Sequence, residues 1–304
     1  MSATSWKGFR SVLCPVDFSE ASRLALRYAE AVAERGHGAL TVVYVNDPLL
    51  VAAAAAALND REFAKRSFKE LDAFVGATLR RRTSSGLRVR VMVATGSATE
   101  EIIALATRRR SDLIVMGTHG LTGARRVFMG STALGVLKRT VVPVLVVPQV
   151  VDSRDVPAGW PGDRLVAPVD LASSAGHDVE VAAEFARWFG AGLLLVHALE
   201  PVMAPAWLSA ELSAHERIQA SAAARRLEVL AAGSRRLVPT DARVVSGWAA
   251  DEIAALAGEH RTGLIVAALH DRQGWFGSAR ASVSYHILSH AVAPVLVHPP
   301  RWRQ

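Results

Sequence analysis

The sequence predicts an α/β protein of two tandem domains, each a doubly wound sheet of five parallel strands in the order 3-2-1-4-5. Three observations carry that expectation. Short apolar runs such as Ile114-Val115-Met116 lack the polar alternation of a half-exposed strand, so they suit parallel strands covered on both faces. Amphipathic stretches lie between them, and regular alternation of strand and helix leads to parallel strands joined by right-handed crossovers. The second half of the chain also repeats the first, and 304 residues, 51% hydrophobic and 21% charged, suffice for two ordinary cores.

Residues 11–16 form the first expected strand. Ser19 caps the helix after it, because a hydroxyl there accepts from the open N–H groups of a first turn, and Ala21, Leu24, Ala25, Tyr28, Ala29 and Val32 then share one face. Residues 40–45 are the second strand. A long helix over about 59–82, entered through the alanine-rich run 51–58, crosses back to a third strand at 89–94. Residues 99–109 are helical again, and 114–116 lie in the fourth strand. A helix opening at Gly130-Ser131-Thr132 and an apolar run at 141–147 complete the half. In a sheet of this order, strands one and four are neighbours, and ligands bind beyond their carboxyl ends where the winding reverses. Asp17 and Gly117 are therefore expected side by side.

The repeat is explicit. Leu165-Val166-Ala167-Pro168-Val169-Asp170 answers Val12-Leu13-Cys14-Pro15-Val16-Asp17, Glu200-Pro201 answers Asp47-Pro48, and from Gly96 and Gly247 onward the halves align without a gap. Residues 149–163, rich in Pro, Gly and Asp, read as a linker, which places the domains at 1–150 and 151–304.

The stretch 112–148 carries the chemistry. After the apolar strand come Gly117 and Gly120, which permit positive φ and let bare backbone N–H groups approach a ligand. Gly130, Ser131 and Thr132 then stand where a helix begins, presenting unpaired N–H groups, the positive end of the dipole and two hydroxyls. An anion fits there, and a polyphosphate best. In the second half Gly117 is answered by Ala268, Gly120 by Asp271, Gly130 by Ala281 and Thr132 by Val283, with Ser282 alone remaining of the Gly-Ser-Thr. A carboxylate at 271 would repel phosphate, so the second half is expected not to hold one in the same manner.

The spacing of Gly117, Gly120 and Gly130-Ser131, together with Pro15-Val16-Asp17-Phe18-Ser19 and Pro143-Val144-Leu145-Val146-Val147, resembles the ATP-binding branch of the universal stress protein family. That resemblance implies a Rossmann-like fold of the adenine nucleotide alpha hydrolase type. It implies ATP as the ligand, alone or with magnesium, and a nucleotide-dependent regulatory or stress-response role. Asp17 and the backbone at Val45 would address adenine and ribose, with Pro15 lining that pocket. Gly117, Gly120, Gly130, Ser131 and Thr132 would surround the phosphates, and Met116 would belong to the same nucleotide site. His119 belongs to the same loop; because His270 keeps its place in the degenerate half, a structural hydrogen bond competes there with ligand contact or general-base chemistry. Arg125 and Arg126 read equally as phosphate contacts or as solvated cations. Two other classes stay open at this stage: a slow ATPase or another ATP-using enzyme of related architecture, and an interaction module that binds no nucleotide.

Several chemistries are disfavoured. The formal net charge of +7 is spread over helices and loops, with short runs only at Arg80-Arg81-Arg82 and Arg108-Arg109-Arg110, so nucleic acid is not expected as a partner. The alanine-rich run is too short and too weakly apolar for a bilayer, and the N-terminus lacks a charged-then-apolar leader; a cytoplasmic protein without a membrane partner is expected. The single cysteine, Cys14, falls inside an apolar strand and reads as a buried thiol. His286 and His290 are spaced to share a metal, yet no third ligand accompanies them, so no metal site is expected. No nucleophile-base-acid set stands out. An unidentified protein partner is expected, and the halves suit a pseudo-dimer within one chain, or a homodimer, through the fifth strands at 144–147 and 295–298.

Overall fold

The computed structural model describes residues 6–57, 62–79, 86–118, 129–149, 155–172, 174–201, 205, 209–259, 263–269, 283–300 and 302. The chain divides into two compact units, Met1–Val156 with Val297–Gln304, and Pro157–Leu296.

In the first unit the elements run β1 (Ser11–Pro15), α1 (Glu20–Arg35), β2 (Ala39–Asn46), α2 (Pro48–Ala57), α3 (Phe63–Thr78), β3 (Arg88–Thr95), α4 (Ala98–Arg109), β4 (Leu113–Gly117), α5 (Ser131–Arg139) and β5 (Val144–Val147). The strands lie in the order β3-β2-β1-β4-β5, and each neighbouring pair is parallel. Pro15 pairs with Val43 and Leu13 with Ile114, so β1 sits between β2 and β4. The central strands are buried, with Leu13, Leu40, Ile114 and Leu145 among the most enclosed side chains. Asp112 ties the starts of β1 and β4 together, its Oδ2 accepting the N–H of Arg10 at 2.8 Å.

Helix α1 forms as its sequence dictates. The Ser19 hydroxyl accepts the N–H of Ser22 at 3.1 Å, and Ala21, Leu24, Ala25, Tyr28, Ala29 and Val32 are buried against the sheet. At its end Gly36 is obligatory, because a Cβ there would collide with the backbone carbonyl of Phe9.

One expectation needs correction. The alanine-rich run does not lead into a single long helix; it is a helix itself, α2, separate from α3. Pro48 takes the first helical position, where its missing N–H costs nothing, and the Asp47 carboxylate accepts the N–H of Leu49 at 2.7 Å. Within the apolar run 141–147 the strand occupies Val144–Val147, since Thr140 Oγ1 accepts the N–H of Val142 and turns the chain just before Pro143.

The second repeat follows the same plan with β6 (Arg164–Pro168), α6 (Ala175–Phe189), β7 (Gly192–Leu199), α7 (Ser209–Ser234), β8 (Thr240–Ser246), α8 (Ala249–Glu259), β9 (Ile265–Ala268), α9 (Val283–His290) and β10 (Val295–His298). The order within the repeat is β10-β9-β6-β7-β8. Val166 pairs with Ile265 in parallel, as Leu13 pairs with Ile114 in the first repeat. The residues Val297–Gln304 group with the first unit, where the Trp302 ring meets Trp6 edge-on at 5.6 Å.

Candidate functional site

A cleft of about 310 Å³ opens at the carboxyl ends of β1, β2 and β4. Its position is the reversal point between β1 and β4, where a doubly wound sheet leaves room for a ligand. Pro15 lines it from β1 and Asp17 from the turn after it, Val45 from β2, and Met116 and Gly117 from β4. Gly130, Ser131 and Thr132 line it from the start of α5. Residues about a hundred positions apart thus share one wall. His119, Gly120, Arg125 and Arg126 lie outside the described residues, as do Arg80, Arg81 and Arg82.

The Asp17 side of the cleft is built by a short hydrogen-bonded turn. Asp17 Oδ1 accepts from the N–H of Ser19 at 3.1 Å and from its hydroxyl at 2.5 Å, while the Asp17 N–H donates to Ser22 Oγ at 3.3 Å. Ser19 therefore caps the helix and Asp17 orients Ser19. Between them Phe18 adopts φ 66°, a left-handed conformation that costs a bulky residue on the order of 1 kcal/mol. Its ring meets Tyr44 at 4.6 Å and the edge of Phe74 at 5.4 Å, and the Arg23 guanidinium lies 4.4 Å from Phe74 while donating to Thr78. This aromatic stack holds the turn.

The opposite side is made of helix beginnings. The Gly130 N–H donates to the carbonyl of Thr118 at 2.7 Å, fixing the start of α5 against the end of β4. The helix itself supplies no acceptors for the N–H groups of its first turn, and Gly130 has no side chain to cap them. Helix α4 also begins at the cleft, through Ala98, and its N-cap Ser97 makes no side-chain capping bond. The two helices cross closely, since a Cβ on Gly135 would come within 2.7 Å of Thr99 Oγ1, and Arg139 clamps Glu100 across them.

Gly117 departs from expectation. It ends β4 without positive φ, so conformational freedom does not explain it. A Cβ there would lie 3.1 Å from the backbone and Cβ of Ala21, so the glycine lets α1 pack down on β4. Gly130 likewise has an ordinary negative φ of -57°. Tyr44, Thr118, Ala98 and Ile102 also line the cleft and were not singled out from sequence. The alternation of β2 marks Tyr44 only as a strand residue; its place beside Asp17 follows from the β1–β2 register.

The second repeat is altered at the matching positions. Ala268 and Leu269 are buried where the first repeat has Gly117 and Thr118. The Ser284 hydroxyl, on α9, donates to the Ala268 carbonyl at 2.7 Å, so it is spent on the end of β9. His197 stands where the first repeat has Tyr44, and its Nδ1 donates to the Val169 carbonyl at 2.8 Å. His270, Asp271, Ala281 and Ser282 lie outside the described residues. On α9 the rings of His286 and His290 stack with centroids 6.2 Å apart, and His290 Nδ1 donates to the His286 carbonyl. Among the described residues no cluster of three or more His, Cys, Asp or Glu side chains is placed to hold a metal ion.

Fold and cleft together define a tandem α/β protein of two Rossmann-like, doubly wound repeats. Residues 8–148 and 162–299 each match the Universal stress protein family, and the chain belongs to that family. It is 26% identical to the universal stress protein MJ0577 of Methanocaldococcus jannaschii over 153 residues, covering 46% of this chain and 94% of that one. Universal stress protein MJ0531 of the same organism is 29% identical over 142 residues, covering 46% and 82%. A solved universal stress protein from Archaeoglobus fulgidus superposes with a TM-score of 0.64 over 97% of this chain and 98% of its own, at 20% identity, a likeness of fold alone. Among the described residues no helix is long and apolar enough to cross a membrane.

Proposed function

We propose that residues 1–150 bind one ATP and that the protein is a nucleotide-dependent regulatory or stress-response protein of the cytoplasm. The observation that carries this reading is the uncapped start of α5, with Ser131 and Thr132, facing a cleft of about 310 Å³ at the reversal point of the sheet. N–H groups, dipole and hydroxyls there offer phosphate oxygens hydrogen bonds without a dedicated cation. Pro15, Asp17 and the Val45 backbone would hold adenine and ribose at the other wall. Any magnesium would enter with the phosphates, because no described carboxylate cluster is placed to bind it first.

Residues 151–304 serve assembly in this reading, making one chain the internal counterpart of a dimer. The support is chemical: the second repeat keeps its apolar strands, while the position of Gly117 carries the methyl group of Ala268. Mass spectrometry of the purified, denatured protein tests the nucleotide reading, with calorimetric titration to count sites. One ATP per chain is expected. No retained nucleotide and no heat of binding would overturn it, and steady turnover of ATP would favour an enzyme instead.

A further inference from the structure

The first repeat ends on one side in an open strand. β3 stands last in the order β3-β2-β1-β4-β5 and its partner is β2, so alternate N–H and C=O groups along its outer side meet no described strand. Arg88, Arg90 and Met92 stand two apart and share one face of β3, while Val89, Val91 and Val93 share the other. Arg109 of α4 comes onto the first face, its Nη2 3.3 Å from Met92 Sδ. Arg108 and Arg139 are matched by Glu101 and Glu100. Arg88 and Arg90 are exposed, and among the described residues neither has an ion-pair partner.

The second repeat shows that the fold does not require this edge. Its outer strand is β8, where Asp241 pairs in register with Leu194 as Arg90 pairs with Thr41 in the first repeat. The charges on β8 are matched: Asp241 meets Arg164 at 2.8 Å, and Arg243, which answers Met92, meets Glu259 at 3.2 Å. Pro239 answers Arg88, and a proline has no N–H to offer a further strand. Open backbone and unmatched positive charge thus coincide on β3 and not on its counterpart.

We propose that β3 is a docking edge for an extended acidic segment of a partner protein, which adds to the sheet as one more strand and sets its carboxylates against Arg88 and Arg90. Opposed residues on adjacent strands share a face, so the partner's carboxylates must recur at alternate positions, with apolar residues between them to meet Val89 and Val91. A second copy of this chain does not fit, because β3 laid on β3 sets the arginines of one copy against those of the other. Nucleic acid would answer the charge but not the open backbone groups, and β3 offers no aromatic ring on which a base could stack. This surface stands independently of the nucleotide reading.

Fluorescence anisotropy on the full chain at low ionic strength tests the proposal with a labelled peptide of alternating glutamate and valine, about as long as the strand it would pair. A control peptide of equal charge carries proline in place of each valine and so lacks those ladder donors. The alternating peptide is expected to bind at least about tenfold more tightly than the control. Arg88→Ser combined with Arg90→Ser is expected to weaken it by about tenfold or more, through loss of charge-assisted bonds, with no change in the thermal unfolding midpoint because both side chains are exposed. Equal binding of the two peptides overturns strand addition. Affinity unmoved by the double substitution overturns the place assigned on β3, and failure of both peptides to bind overturns the docking edge altogether. An oligothymidylate that displaces the peptide, binds more tightly and is lost in the same variant would make the edge a nucleic-acid contact and overturn the acidic segment.

Discussion

A Cβ built on Gly117 would lie 3.1 Å from Ala21, on a helix whose cap is itself hydrogen-bonded to Asp17. The end of β4 and the start of α1 are thereby fitted to one another at the floor of the cleft, and the glycine that looks like a ligand contact is first a packing contact.

Gly117→Ala is therefore expected to lose about 1–2 kcal/mol of stability, because the backbone of α1 rather than a flexible side chain must give way. The same shift would move Ser19 and Asp17, so nucleotide affinity should fall as well. Thermal unfolding and titration on one sample check both. Unchanged stability would mean that α1 yields without cost.

Asp17→Asn separates charge from structure. Asn can still accept from Ser19, and Ser19 still caps α1, so stability should stay within about 1 kcal/mol of the parent. If Asp17 addresses the sugar or base, ATP affinity should drop by more than about tenfold, the loss of one charge-assisted bond. Wild-type affinity in a stable variant would remove Asp17 from the site.

Much of this was legible in the chain. The buried strands announced themselves as apolar runs, and their parallel order placed Asp17 and Gly117 on one cleft before any geometry was known. The reason for Gly117 was not legible, since a glycine needed for packing and one needed for access look alike in sequence. Tyr44 escaped notice because strand alternation gives its face but not its neighbours. The alanine-rich run was read only as the way into the helix after it, because its apolar residues carry no polar face to mark a helix of their own. In the second repeat the loss of glycine was plain, whereas the bond from the Ser284 hydroxyl to the Ala268 carbonyl arises from packing that spacing along the chain does not reveal.

Alkaline pH should weaken the fold. Burial raises the Cys14 thiol above its ordinary 9.0 and pushes the Tyr28 phenol from 10.0 up to about 12. In each case the folded state holds the proton more tightly than the unfolded chain, so this stability is complete below the unfolded pKa and is lost as pH rises through the folded one. Unfolding free energy should be flat with respect to these groups below pH 9 and should decline above it. Cys14→Ala should flatten the first part of that decline and Tyr28→Phe the part above pH 10. Iodoacetamide should leave native Cys14 unmodified at pH 8 and label it once the chain is unfolded.

Removing the second repeat tests what it is kept for. Its strand cores remain fully apolar, with Leu165, Leu264, Ile265 and Val297 wholly buried, while Ala268 has replaced the glycine at the end of the fourth strand. Packing has been retained where ligand contact has drifted, which fits a role in assembly. A fragment of residues 1–150 also loses Trp302, whose ring meets Trp6 at 5.6 Å within the first unit, so it should unfold at a lower temperature than the full chain. An aromatic pair of this kind contributes about 0.5–1.5 kcal/mol beyond its burial, which bounds the part of that loss owed to the ring pair itself. Every described residue of the cleft is retained in the fragment, so ATP should still bind to it. If the second repeat serves assembly as proposed, the fragment should self-associate in its place, which light scattering would register as a species of about twice the fragment mass. A monomeric fragment with full ATP affinity would show that the second repeat is no assembly partner. Lost binding in a folded fragment would show instead that the second repeat helps to form the site.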